Sequence, residues 1–299
     1  MHRKKRGAKR PILLPVFGLW AVLCFAAGVM LARGQAAVPT AAVIEVSPEP
    51  TIAPTAVPSL TAAYAGYATG LRLRGAEPKI LIYHTHTTEA YFPTVDAPYR
   101  KTSAWRTADT TQSVVAVGER LKEILETEYG FSVLHDTTDH EPPKLSSAYE
   151  RSEQTMRAYA AAYPSIELFI DLHRDACGSD PTEPTDFVTV NGQAVARLMF
   201  VVGRGDEYAD KPFYETSRRF AERVTAYLNG IDPKLARPIR EKAGRYNQHV
   251  GAYCLLVEVG HNGNTLAQAM AALPYLAEGI AYAAAETEHT VSGWAPEGA

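Results

Sequence analysis

The stretch PKILIYHTHTTEAY, residues 78–91, decides how this chain is read. Its apolar run over 79–83 breaks off at His84, His86 and Glu89. A short, continuous apolar run with polar flanks reads as a strand buried on both faces, the kind found in parallel sheets covered by helices. In such sheets the ligand site lies beyond the carboxyl ends of the strands. Imidazole and carboxylate groups in that position are candidates for chemistry.

The alternation continues downstream. TQSVVAVGERLKEILETEYG (111–130) sets Val114, Val117, Leu121 and Leu125 on one helical face before Gly130 as a stop. Strands are expected over 131–136, 166–173, 197–203 and 252–260, and helices over 146–163, 213–230 and from Asn264 towards Glu286, with Asn264 as the cap of the last. HDTTDH (135–140) is polar and turn-rich and reads as loop. Apolar strands separated by amphipathic helices predict an α/β fold of three layers, a largely parallel twisted sheet with helices on both faces.

Ahead of this domain the first ten residues carry six Lys or Arg and no acid, and residues 11–32 run uncharged. Twenty-two such residues can cross a bilayer. A transmembrane anchor is expected rather than a cleaved signal peptide, with the basic segment 1–10 in the cytoplasm and the rest outside. Residues 33–75, rich in Ala, Pro and Thr, read as a linker, and stretched at about 3 Å per residue they would reach ~120 Å. The domain is expected over 76–287, with a tail over 288–299.

Composition excludes some functions. Without the first ten residues, 24 Lys plus Arg face 33 Asp plus Glu, a charge near −9 that suits no nucleic acid. Only Cys177 and Cys254 lie outside the apolar run, so there is no disulfide framework and no cysteine metal knuckle.

Three strand ends carry the same residue types: His84, His86 and Glu89 after the first, Asp171, His173, Arg174 and Asp175 after the third, Glu258 and His261 at the last. Zn2+ takes imidazole nitrogen and carboxylate oxygen, and a hydrolytic site adds a further carboxylate to handle the proton of water. His84 and His86, two apart on extended chain, project to one side, so either or both could reach a metal. Arg174, Asn247 and Gln248 could hold peptide carboxylates or amides, or serve the structure.

IYHTHTTEAY, DLHRDA, RYNQ (245–248) and LLVEVGHNGNT, in that order, resemble the stage II sporulation protein P family, membrane-anchored cell-wall hydrolases of endospore-forming bacteria related to zinc N-acetylmuramoyl-L-alanine amidases. The resemblance covers roughly residues 76–287 and implies an amidase-like fold. It further implies cleavage of the amide between the lactyl group of muramic acid and L-alanine in peptidoglycan, with endopeptidase action on the cross-links as a second activity. The setting it implies is the septal and engulfing membrane, beside sporulation proteins D and M. Carried over, His86 and His173 are metal ligands and Glu258 the catalytic carboxylate. The sequence departs from the pattern at the second ligand, where Asp109-Thr-Thr-Gln112 replaces the family's glutamate. Glu89 stands in for it, with His84 as rival or as a group that orients the site. The other readings of the same residues are an inactive peptidoglycan-binding or scaffold ectodomain and a zinc peptidase or deacetylase.

Overall fold

The structure, a computed structural model, describes residues 71–176, 178 and 181–292. The basic segment, the anchor and nearly all of the linker lie outside the described residues. Among the described residues, no helix is long and apolar enough to cross a membrane.

In chain order the strands are β1 (Ile80–Tyr83), β2 (Lys101–Ser103), β3 (Arg106–Thr107), β4 (Val133–His135), β5 (Leu168–Asp175), β6 (Phe187–Val190), β7 (Gln193–Ala196), β8 (Leu198–Gly203), β9 (Arg240–Lys242) and β10 (Tyr253–His261). The helices are α1 (Val114–Tyr129), α2 (Ala148–Ala162), α3 (Tyr214–Ile231) and α4 (Leu266–Ser292). One sheet runs β4-β1-β5-β10-β8-β9; β2-β3 and β6-β7 are separate hairpins. The sheet is parallel from β4 to β10, and β8 is antiparallel to β10 while β9 follows β8. The chain leaves β1 through α1 for the edge strand β4, then returns past β1 to β5. The carboxyl ends of β1 and β5 therefore flank the reversal of strand order, the place where such sheets open a crevice.

Alternation along each strand sorts the side chains. Leu168, Ile170 and Leu172 of β5 and Leu255, Val257 and Val259 of β10 enter the main core with α1, α3 and α4. The opposite face carries Leu81, Tyr83, Phe169 and Cys254, covered by Met156 of α2. On that second face the same alternation brings up Asp171, His173 and Glu258. Helices cover both faces, as expected.

Local chemistry sets the helix ends. Ser113 accepts a hydrogen bond from Val115 N at the start of α1, and Gly130, at φ 65°, ends it in the left-handed region. The last helix is capped by Thr265 rather than Asn264. Thr265 Oγ1 accepts from Gln268 N, and Gln268 Oε1 accepts from Thr265 N, a reciprocal capping box. Asn264 instead accepts from His261 N and donates to Thr185 O, tying the end of β10 to the β6 approach.

Both expected domain boundaries move. Leu71 and Leu73 are fully buried in the main core and Ser132 N donates to Leu73 O, so the domain has begun by Leu71, ahead of residue 76. At the other end α4 passes residue 287 and runs to Ser292.

Candidate active site

β1 ends in a turn that places three groups from one short segment. His84 is fully buried, and its Nδ1 donates to Leu172 O at 2.8 Å. A carbonyl only accepts, so Nδ1 carries the His84 proton; Nε2 faces His135 Nε2 at 2.9 Å, and His135 Nδ1 in turn lies 2.8 Å from Glu119 Oε2. Burial, then the neighbouring His135, push the His84 pKa down to about 3, which keeps the ring neutral in both roles. His84 thus ties the end of β1 to β5 through Leu172 and to β4 through His135. Gly118 of α1 makes room for this pair: a Cβ there would stand 2.7 Å from His84 Nε2 and 2.8 Å from His135 Nε2.

His86 points the other way, into the crevice, with its ring centroid 5.4 Å from that of His173. Its Nδ1 is buried without a hydrogen bond, and Glu141 Oε1 lies 3.5 Å away. Glu89 is 7% exposed; its Oε2 accepts from Arg174 N at 3.1 Å and lies 3.4 Å from His173 Nδ1. Burial alone would raise the Glu89 pKa, but His173, Arg174 and His86 outweigh it and hold the carboxyl well below its usual range. Arg106 bridges Glu89, at 3.7 Å, and Glu141, which also accepts from Thr88 Oγ1.

His173 sits between two carboxylates. Asp171 Oδ1 is 2.8 Å from its Nε2, and Glu89 Oε2 faces its Nδ1 at 3.4 Å. Burial would lower the His173 pKa, yet Asp171 and Glu89 raise it well above the ordinary value. Asp171 is itself held by Thr85 through both N, at 2.8 Å, and Oγ1, at 2.6 Å.

Glu258 stands beside His173, since the two are partners in the parallel register of β10 and β5. It is 9% exposed, its Oε2 has no hydrogen-bond partner, and burial pushes its pKa up to about 7. The rings of Tyr149 and Tyr246 meet edge to face at 5.3 Å and wall this corner, Tyr149 lying over His173 at 6.4 Å.

Three residues expected at the substrate take structural places instead. Arg174 is 5% exposed and donates to Ala90 O and Trp105 O, securing the segment after β1. Asn247 donates to Tyr149 O and Ser152 Oγ, and Gln248 donates to Val201 O while accepting from Gly203 N. The Asn247 and Gln248 side chains are thus spent on internal partners that brace the Tyr246–Asn247 turn, whose φ of 51° and 57° is left-handed. His140 of the polar loop is likewise internal, between His84 O and Thr155 Oγ1.

His86, Glu89 and His173 supply the imidazole and carboxylate atoms that a zinc-type ion takes. Two donors bound at ~2.1 Å in tetrahedral geometry stand roughly 3.4 Å apart, near the Glu89–His173 separation, and the orphaned His86 Nδ1 is a free donor. Among the described residues, no three such side chains yet converge on one point. Glu141 is the carboxylate that the sequence reading missed. It lies in the loop after β4, far from any strand-end signal, and only the fold brings it to His86. The two tyrosines were also missed, and Asp171, named at its strand end, was given no role, although the two-residue step from Asp171 to His173 puts both on one strand face.

A model of the family described as Stage II sporulation protein P matches residues 39–281. The chain is 25% identical over 203 residues to stage II sporulation protein P of Bacillus subtilis (strain 168), which is 64% of this chain and 47% of that protein. It thus spans about half the length of this curated relative. Among solved structures it is similar to the N-acetylmuramoyl-L-alanine amidase AmiC2 of Nostoc punctiforme, at 16% identity over 71% of this chain and 97% of that one, TM-score 0.40. It is also similar to the catalytic domain of the amidase CwlV from Bacillus (Paenibacillus) polymyxa var. colistinus, at 16% identity over 69% and 95%, TM-score 0.39.

Proposed function

Because the chain belongs to the stage II sporulation protein P family, we propose that it is a zinc-dependent peptidoglycan hydrolase that cuts the muramoyl–L-alanine amide during sporulation. In this reading residues 11–32 hold it in the membrane with the domain outside, where it remodels the septal wall in engulfment beside sporulation proteins D and M. The observation that carries the reading is Glu258. A buried carboxyl with an unpaired oxygen, raised to about 7, beside His173 on the strand next to the reversal of strand order, has the make-up of a general base.

His86, Glu89 and His173 would hold the zinc, which when bound supplies a Lewis acid to the amide carbonyl and the attacking water. Glu258 Oε2 takes the proton of that water as the new C–O bond forms. It returns the proton to the amide nitrogen as the C–N bond breaks, leaving a carboxylate and the free amine of L-alanine. Asp171, fixed by Thr85, holds the His173 ring. Tyr149 and Tyr246 keep bulk water from the reacting corner. The absence of a three-donor convergence among the described residues favours a second reading, a binding or scaffold ectodomain.

Digestion of purified peptidoglycan, with and without a chelator and with products read by mass spectrometry, tests the reading. Chelator-sensitive release of stem peptides with amino-terminal L-alanine is expected. Retained binding without cleavage would favour the scaffold reading, and other product ends would indicate a peptidase or deacetylase.

A further inference from the structure

A second cavity of about 590 Å³ opens at the carboxyl ends of β5 and β10, lined by Asp175, Asp186, Arg237, Arg240 and His261 among others. It adjoins the reacting corner. Asp175 follows His173 by two residues on β5, pairs with His261 in register, and is close enough for its charge to act on Glu258.

Three carboxylates line it, Asp175 paired with Arg237, Asp186 paired with Arg197, and Glu183, and what marks the cavity is the N–H groups left over beside them. Arg237 uses one nitrogen on Asp175, at 2.8 Å, while its buried Nε has no partner. Arg240 makes only a 3.7 Å ion pair with Asp175, a carboxylate already engaged by Arg237, and its side chain is half exposed. His261 Nδ1 accepts from Gly263 N at 2.8 Å, which puts the ring proton on Nε2, and Asp186 is 3.5 Å from that nitrogen. Three N–H donors thus line one space without, among the described residues, an acceptor at hydrogen-bond distance for each. Fork-shaped guanidinium donors are best satisfied by a planar carboxylate.

Resting on the hydrolase reading above, we propose that this cavity binds the free carboxylate on the second residue of the stem peptide, beyond the L-alanine whose amide is cut. Two residue steps along β5 separate Asp175 from His173, roughly 7 Å, which is also about the span of two extended peptide units. A carboxylate at the second residue therefore reaches Arg240 while the scissile amide lies at Glu258. The subsite discriminates between stem peptides that carry a free carboxylate there and those that carry a carboxamide.

The test uses the full chain and two muropeptides that differ only in carboxylate or carboxamide at that residue. Arg240→Ala should raise KM on the free carboxylate about tenfold with kcat within about twofold, and leave the carboxamide unaffected. Arg240→Lys should recover only part of the loss, because the ammonium lacks the fork. Equal effects on both muropeptides, or none on either, would overturn the subsite. Calorimetric titration with the free tripeptide and its carboxamide separates this question from the hydrolase reading. Should neither muropeptide be cut, carboxylate-selective binding that Arg240→Ala abolishes would still uphold the subsite, and unselective or absent binding would reject it.

Discussion

His84 Nδ1 hydrogen-bonds the carbonyl oxygen of Leu172, so the residue two before His86 holds the residue just before His173. The strand ends that bear the two candidate ligands are tied to each other by this side chain. Replacing His84 with Ala should leave a buried carbonyl unpaired and lower stability by about 1–3 kcal/mol. It should also weaken zinc binding by roughly 10–100-fold, as loss of a positioning partner does. Unfolding midpoints and a zinc titration of the same variant read the two effects; unchanged zinc affinity would confine His84 to the fold.

Glu258→Gln keeps the shape of the side chain and removes the base. Peptidoglycan hydrolysis should fall by at least about 10²–10⁴ while bound zinc and the unfolding midpoint stay near wild type. Full activity in that variant would take Glu258 out of the proton path.

Asn247 separates a structural role from a substrate role. Asn247→Ala removes the donors to Tyr149 O and Ser152 Oγ and puts a less suitable residue at φ 57°, so a loss of about 1–3 kcal/mol in stability is expected. A raised KM with an unchanged unfolding midpoint would return Asn247 to the substrate.

Cys254 gives a reading that does not depend on the active site. Burial pushes its thiol up to about 12, with a small opposing effect from its hydrogen bond to Gly251 O. A raised pKa keeps the neutral thiol, so the reactive thiolate stays scarce throughout the range below about 12. Peptide-resolved alkylation of the native chain between pH 7 and 10 should leave Cys254 unlabelled, and unfolding should expose it. Rapid native labelling would mean that this face of the sheet opens.

Much of this could be read from the sequence where the period is strong. β1 is apolar throughout and β5 and β10 begin on apolar runs, so their existence and parallel packing followed from composition, and the strand-end rule then led to His86, His173 and Glu258. Short exposed strands carry no such signal: β9, Arg240–Lys242, is charged along its length and is a strand only because β8 offers an edge. The β6–β7 hairpin was legible and overlooked, since Asn191-Gly192 at φ 51° and 79° is the turn that such a dipeptide favours. Polar residues next to a motif were the hardest to place. Arg174, Asn247 and Gln248 have the chemistry of substrate contacts, and whether such groups face a crevice or a carbonyl is set by loops that no local period describes.

The chain joins its domain at Leu71 and Leu73, beside Phe131 and Ser132, where β1 and β4 begin. Five residue steps of β5, about 17 Å, separate that end of the sheet from His173. A pull applied ahead of Leu71 would therefore load two core leucines and the strand starts they pack against, in shear across the hydrogen-bonded edge, and leave the reacting corner at the opposite, unloaded ends of the strands.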